Sequence, residues 1–577
     1  MKKKLLPALI VTGLIILVVI IMGITALINK YTPTKKTEDL KEYFNISSDD
    51  EAALIVDNEL SDYKAKIIDK KIYVDYKFVH DSLNSRFYWD ANENVLLYTT
   101  ASDIISAAAD SNSYSVTKQT NDFGYPIVKA TSDSALIALD YVKQYSNITF
   151  KSYDDPARIV ITSKWDEIDS ATVSKSTQVR VKGGIKSPIL KEVKKDDNIT
   201  ILDSGDKWDK VATEDGVIGY IKRKALSESK KTKLTNPDYE EETFTHIKKD
   251  KDICLAWNQV TSQSANSKVP QVISSTKGIN VMSPTWFYLN DNNGNLADIA
   301  SKDYVSYCHS QGIEVWGLFS NLENTDVDAA YVLTHTSTRT TLINQIMSAA
   351  FNYELDGVNI DFENITEAAY GDSYIEFIRE LAIKCHNNGI SLSVDVTVPA
   401  SFNKFFNRSD MANFADYIVI MGYDEHYKGS DAGSVSSIPW VTEGVESTLK
   451  EVPADQIILG MPFYTRIWEL TPKEDDDAVT DTEDQSKYTV ASQVYSMDAA
   501  VAQLATNNAT AALDEESGQN YAEWSASNKL YKVWLEDSTS LEKRLKLVDD
   551  NKLAGAAFWK LGFENSSVWD TVIKYLD

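Results

Sequence analysis

Along this chain the apolar residues fall into three patterns, each of which predicts a different element. The first is an uncharged run from Leu5 to Ile28, behind Lys2-Lys3-Lys4, long enough to cross a bilayer as a helix at about 1.5 Å per residue. The second is a set of short, nearly continuous apolar strands separated by helical stretches, beginning near residue 250. They fall at 254–257, 279–282, 314–319, 358–361, 392–396, 418–421, 457–461 and 556–559. One intervening helix is plain: Tyr374, Ile378, Leu381, Ala382 and Cys385 share a face, and Asn388-Gly389 supplies a stop. Strands of that kind joined by helices predict a parallel sheet, and eight of them over roughly 330 residues predict an α/β fold closed as a (β/α)8 TIM barrel.

The third pattern is alternation. From about 50 to 165 a faint repeat shows in Asn84-Ser85-Arg86-Phe87-Tyr88-Trp89-Asp90 and Asn147-Ile148-Thr149-Phe150-Lys151-Ser152-Tyr153-Asp154. Each unit predicts a helix followed by a two-stranded ribbon, turning at residues 90–94 or 154–156. From 176 to 226, short strands such as Gln178-Val179-Arg180-Val181 and Ile199-Thr200-Ile201-Leu202 alternate with turns, which predicts a small all-β domain. That stretch carries 11 Lys and Arg against 8 Asp and Glu, a net +3 in a chain whose total is -27. A basic island can touch an anionic wall polymer, or it can simply be a solvated face. The expected organisation is therefore a cytoplasmic start and membrane anchor over 1–30, an α+β repeat spacer over 50–165, an all-β domain over 176–226, a polar linker over 227–246 and the barrel over 247–577. About 85 residues between the last two barrel strands predict a small α+β insertion, with Glu474-Asp475-Asp476-Asp477 in a solvated loop.

Composition removes several function classes. A formal charge of -27 over 577 residues argues against a nucleic-acid surface, because phosphate binding needs a basic field. Three distant cysteines, Cys254, Cys308 and Cys385, form no disulfide framework, and six scattered histidines show no metal-ligand spacing, so neither metal nor cofactor is expected. The N-terminal lysines place the start in the cytoplasm and the rest outside it. A cleaved signal peptide is the rival, which would make the protein secreted. Ile24-Thr25-Ala26-Leu27-Ile28 offers no small-residue cleavage site, so a single-pass protein of the cell membrane with an extracytoplasmic catalytic domain is expected.

The chemistry concentrates on the fourth barrel strand. In Leu355-Asp356-Gly357-Val358-Asn359-Ile360-Asp361-Phe362-Glu363 the polar positions Asn359, Asp361 and Glu363 alternate with Val358, Ile360 and Phe362, so one face is loaded with acid. In a half-buried strand such a face can merely be wet. Here it ends at the C-terminal mouth of a barrel, where such folds keep their catalytic groups. The other strands bring aromatic and polar residues to the same mouth: Trp286 and Tyr288, Asn321, then Met421, Tyr423 and Asp424, then Tyr464 and Arg466, and finally Trp559. Aromatic rings around carboxylates stack on sugar faces while polar groups hold the hydroxyls, so the expected partner is a polysaccharide. Asp361 and Glu363, two apart and about 6.6 Å along one strand, cannot flank a glycosidic bond from opposite sides as a retaining dyad does. The nucleophile must come from elsewhere.

The motif Asp356-Gly357-Val358-Asn359-Ile360-Asp361-Phe362-Glu363 resembles the signature of glycoside hydrolase family 18, the chitinase family, and Met421-Gly422-Tyr423-Asp424, Met461-Pro462-Phe463-Tyr464 and Trp559 fall where that family would have them. The resemblance is nearest to the bacterial spore-cortex and cell-wall N-acetylglucosaminidases. Residues 176–226 resemble bacterial Src-homology-3-like barrels, and 50–165 the small repeats at the N-terminus of copper amine oxidases, without a histidine cluster for copper. The family resemblance implies that the substrate's own 2-acetamido carbonyl is the nucleophile, the substrate-assisted route. It implies that Glu363 protonates the leaving oxygen and then activates water, that Asp361 orients the acetamide, that Tyr423 holds its carbonyl oxygen and that Trp559 floors the reacting sugar. Asp356 and Asn359 would support the strand and Asp361, while Trp286, Tyr288, Asn321, Met421, Asp424, Tyr464 and Arg466 would bind substrate. Asn359 stands where many chitinases have aspartate, which bears against proton sharing between that position and Asp361. The implied function is hydrolysis of β-1,4-linked N-acetylglucosamine polymers, with peptidoglycan ahead of chitin. The alternative is a carbohydrate-binding protein on a spent chitinase fold, from which retention of Glu363 separates it.

Overall fold

The computed structural model describes residues 5–363, 365, 368–473 and 484–576; Lys2-Lys3-Lys4 and the acidic run at 474–477 lie outside the described residues. The first apolar run forms one helix, Leu5–Tyr31. Its segment Pro7–Tyr31 has a mean hydropathy of 2.9 and buries none of its surface in the protein, as both membrane spans and signal sequences would. The chain divides into two compact units, one of residues 1–89, 107–114 and 121–241 and one of residues 90–106, 115–120 and 242–577.

The first unit holds two seven-stranded sheets. In one, Glu51–Val56 pairs in parallel with Arg158–Thr162 and antiparallel with Glu59–Ile68. The second repeated segment has the expected form, helix Leu139–Gln144 followed by the antiparallel pair Thr149–Tyr153 and Arg158–Thr162. The other sheet is wholly antiparallel and packs Val179, Val193, Ile199, Val211 and Ile221 into a small core. It is wider than the alternation predicts, because Lys230–Lys233, inside the expected linker, pairs with Glu167–Thr172. Ladder bonds need only backbone groups, and a lysine-rich strand suits an exposed sheet edge. Apolar patterning is blind to such a strand.

The second unit is built on the barrel. Its strands are β1 (Ile253–Asn258), β2 (Val281–Leu289), β3 (Glu314–Ser320), β4 (Gly357–Asp361), β5 (Ser391–Thr397), β6 (Tyr417–Met421), β7 (Ile457–Pro462) and β8 (Gly555–Trp559). Neighbours pair in parallel throughout, and β1 pairs with both β2 and β8, which closes the ring. Two apolar layers hold it. Val358, Ile360, Leu392, Val394 and Ile418 point outward into the shell of helices, where Tyr374, Ile378, Leu381 and Cys385 of helix Ala368–His386 meet them. Leu255, Trp257, Trp316, Leu318, Tyr417 and Val419 fill the interior. All three cysteines are buried and unpaired. Between β7 and β8 the chain inserts a five-stranded antiparallel sheet with helix Met497–Thr506.

Candidate active site

The inward row of β4 starts with Gly357, and the reason for glycine is steric. A Cβ there would lie 2.5 Å from Cδ1 of Trp316, whose indole fills the barrel interior. The next inward residue, Asn359, is fully buried and uses every hydrogen-bonding capacity of its amide. Oδ1 accepts from Trp257 Nε1 at 3.0 Å and Ser283 Oγ at 2.9 Å; Nδ2 donates to Ser393 Oγ at 3.0 Å and Asp395 Oδ1 at 2.7 Å. Four partners from β1, β2 and β5 lock the amide in one orientation, with its donors toward β5.

Asp361 follows one step higher. Its Oδ1 is out of reach of solvent and has no hydrogen-bond partner. Burial first, then the charges of Glu363 and Glu323, hold its carboxyl well above the usual carboxylate range. Glu363 lies just past the strand end. Its backbone is strapped by Asn321, at the end of β3: the Asn321 amide donates to Glu363 O at 2.8 Å and accepts from Glu363 N at 2.9 Å. Burial, then Asp424 and Glu323, raise the Glu363 carboxyl, which favours a protonated acid able to donate. Glu323 in turn accepts from Ser320 Oγ.

These groups open into a cleft of ≈ 650 Å³, lined also by Trp257, Asp395, Met421, Tyr423, Asp424, Glu425 and Trp559. Trp257 and Trp559 meet edge to face with ring centroids 5.9 Å apart, and Tyr423 sits against Trp257 at 6.5 Å. Burial and then the Asp361 charge push the Tyr423 phenol well above its ordinary value, so it remains a donor. The other wall carboxylates are engaged. Asp424 accepts from Tyr464 Oη and lies 3.5 Å from an Arg466 guanidinium nitrogen. Glu425 accepts from Ser437 N at 2.7 Å and Ser437 Oγ at 3.0 Å. Exposed Phe402 and Tyr427 add aromatic surface to the cleft. Among the described residues, no lysine, arginine or histidine lines it. Among the described residues no group of three acidic, histidine or cysteine side chains is placed to hold a metal.

The structure thus brings Asp361, Glu363, Met421, Tyr423, Asp424 and Trp559 to one cleft and sends other expected residues elsewhere. Trp286 is fully buried behind β2, where its Nε1 donates to Asn266 Oδ1 at 2.8 Å and its ring packs on Tyr304, so it cannot meet substrate. The irregular register between Thr285 and Phe287 turns Trp286 and Phe287 together into the outer core. Tyr288, Tyr464 and Arg466 do not line the cleft, the last two standing behind Asp424. Asn321 acts on the Glu363 backbone. Asp356 lies below the strand, at the opposite end of the barrel from the cleft; its Oδ2 accepts from Val315 N at 2.8 Å and pairs with His309 Nε2 at 2.8 Å, so it supports β3 and β4 but is not beside Asp361. The acid that does stand beside Asp361 is Asp395, which the motif reading passed over. The alternation Ser391, Ser393, Asp395, Thr397 on β5 was the available signal.

Comparison with known proteins matches residues 319–564 to the family model for glycosyl hydrolases family 18. An uncharacterised glycosylase of Bacillus subtilis (strain 168), YvbX, is 24% identical over 301 residues, covering 49% of this chain and 81% of that one. The cortical fragment-lytic enzyme of the same organism is 25% identical over 287 residues, covering 48% of this chain and 63% of that one. Among solved structures, the C-terminal domain of a provisionally named chitinase from Desulfitobacterium hafniense DCB-2 superposes with a TM-score of 0.50 at 19% identity, over 57% of this chain and 100% of that one. With the closed barrel and the acid row of its fourth strand, the matched segment is a family 18 glycosyl hydrolase domain, and the chain that carries it is a glycoside hydrolase.

Proposed function

We propose that this protein hydrolyses β-1,4-linked N-acetylglucosamine polymers of the cell wall by substrate-assisted, retaining catalysis. The observation that carries the reading is the single acid row: Asp361 and Glu363 share one face of one strand, while Asp424 and Glu425 on the cleft wall are held by Tyr464, Arg466 and Ser437. Asp395, the remaining carboxyl of the lining, stands beside Asp361 and accepts from Asn359 Nδ2; among the described residues no free carboxylate opposes Glu363, so the substrate's 2-acetamido oxygen takes the nucleophile's part. Glu363, its carboxyl raised by burial, donates its proton to the leaving glycosidic oxygen as the acetamide oxygen attacks C1, the C1–O glycosidic bond breaks and an oxazolinium ion forms; the resulting carboxylate then takes a proton from the water that opens the ring. Asp361 faces the developing positive charge, Tyr423 donates to the acetamide oxygen, and the Trp257–Trp559 pair floors the reacting sugar.

Peptidoglycan is favoured over chitin by the cortical fragment-lytic relative and by helix Leu5–Tyr31, which we read as an anchor holding the enzyme outside the cytoplasmic membrane. Residues 176–226 serve as a Src-homology-3-like wall-contacting module and residues 50–165 as a repeat-type spacer. The test is digestion of purified sacculi, spore cortex and chitin in parallel, with the new reducing ends identified by mass spectrometry and the first-formed anomer read by proton NMR. A β anomer on an N-acetylglucosamine end is expected, and Glu363→Gln loses roughly 10²- to 10⁴-fold in turnover while still binding. An initial α anomer refutes the acetamide mechanism. Absence of turnover on all three polymers, with binding equal in wild type and Glu363→Gln, replaces the hydrolase by a lectin.

A further inference from the structure

We propose that Asp395 is a positioning residue for this reaction: Asp395 and Asp361, side by side on β5 and β4, hold one proton between them, so the pair carries a single negative charge. The inference rests on the reading that Asp361 faces the acetamide. Its geometry is set by the register of the two strands, in which Asn359 lies beside Ser393 and Ile360 beside Val394. One step further up, Asp361 and Asp395 are the next neighbours, both on the inward face and both lining the cleft. Asp395 is only 3% exposed. Asp361 Oδ1 is buried without a partner, a place where a carboxylate cannot stay charged unaided.

Asn359 explains why the second carboxyl stands on β5. With Trp257 and Ser283 filling its oxygen, and its Nδ2 donating to Ser393 and Asp395, that amide has no proton to exchange and no capacity left for Asp361. An asparagine here holds the neighbouring acid in place without itself titrating. The groups facing the pair are Glu363 beyond β4, Glu323 beyond β3, Tyr423 from β6 and Tyr374 from helix Ala368–His386, all acidic or neutral. With no cation among the described groups that face them, two adjacent buried carboxyls cannot both ionise. Burial and then the Asp361 charge raise Asp395 well above the carboxylate range, in keeping with its being the member that keeps the proton. When positive charge grows on the acetamide, the proton rests on Asp395 and the negative charge on Asp361, where it is needed.

The experiment compares the full-length wild type, Asp395→Asn and the exchange variant Asn359→Asp/Asp395→Asn on a chromogenic N-acetylglucosamine oligomer, recording kcat, KM and the acidic limb of the pH profile. Asp395→Asn keeps an acceptor for Asn359 but removes the shared proton. It is expected to lower kcat at least 10-fold with KM within threefold, and to move the acidic limb up by about one pH unit, because the monoanion loses its internal hydrogen bond. The exchange variant returns a titrating carboxyl to the row and is expected to recover part of the loss. A purely packing role for Asp395 would not move the acidic limb. Wild-type kcat and acidic limb in Asp395→Asn overturn the proposal. Should that variant melt below assay temperature, the exchange variant decides: a displaced acidic limb supports the shared proton, and an unchanged profile refutes it. Wild-type turnover with an unaffected Asp395→Asn sinks only the pair, whereas an inactive wild type sinks the hydrolase reading itself.

Discussion

Asn321→Ala removes the strap that fixes the Glu363 backbone, and its cost follows from two contacts. The Asn321 amide accepts from Glu363 N at 2.9 Å and donates to Glu363 O at 2.8 Å, and both are lost. A hydrogen bond of this kind is worth about 0.5–1.5 kcal/mol net, so the pair is worth about 1–3 kcal/mol. If that energy is spent on holding the acid in line with the leaving oxygen, kcat falls roughly 5- to 150-fold, and KM moves much less because Asn321 is not among the residues lining the cleft. Steady-state kinetics on a chromogenic N-acetylglucosamine oligomer reads both parameters, and a thermal melt shows whether the barrel remains folded. A double-mutant cycle sharpens the test: once Glu363→Gln has removed the proton, deleting its strap has little left to cost, so the double variant should match Glu363→Gln alone. Turnover of Asn321→Ala within twofold of wild type, or losses that simply multiply in the double variant, would show that Asn321 does not act through Glu363.

Asp356→Ala deletes bonds to Val315 N and His309 at the closed end of the barrel, so it should lower unfolding stability by about 1–3 kcal/mol in a denaturant titration while leaving kcat and the pH profile unchanged. Burial raises the carboxyl of Glu363 and the Asp361–Asp395 pair above the usual carboxylate range. The native state therefore binds more protons than the unfolded chain above about pH 4, and stability should fall as pH rises through that window and level off beyond the raised values. Calorimetry from pH 4 to 8 checks the sign, and a barrel transition that climbs steadily across that range contradicts it. Helix Leu5–Tyr31 should keep the protein in the membrane fraction until detergent is added; a mature N-terminus beyond Ile28 would show a cleaved signal instead. A fragment of residues 247–577 should cleave soluble oligosaccharides as the full-length protein does but act poorly on intact sacculi, and equal activity on sacculi would reduce the preceding modules to spacers.

Local pattern and tertiary placement diverge at particular residues. The eight barrel strands were legible because each carries closely spaced apolar residues that face the helical shell or the barrel interior, and the helix carrying Tyr374 and Leu381 because its apolar residues recur every three or four positions. The edge strand Lys230–Lys233 was not, since its pairing uses backbone groups alone. Within the site, motif spacing singles out Asp356 and Asp361 alike, yet a strand rising about 3.3 Å per residue carries them to opposite ends of the barrel. Trp286 illustrates the converse error: an aromatic at a strand end suggests the mouth, but the irregular register of β2 turns it into the outer core.

What the sequence determines by itself is periodicity: an apolar helix long enough for a bilayer, a barrel of parallel strands, and one strand whose inward side is acidic. These are properties of consecutive residues, and covalent geometry converts them directly into faces. Which groups meet across the barrel is decided only by the closed sheet, because register between strands remote in sequence depends on how all eight pack around Trp257 and Trp316. That register places Asn321 against the backbone of Glu363, Asp395 beside Asp361, and the amide of Asn359 among four partners from three other strands. The acid row is written in one strand; its protonation belongs to the tertiary structure, since burial and neighbouring charge are set by residues remote in sequence, from Trp257 to Trp559.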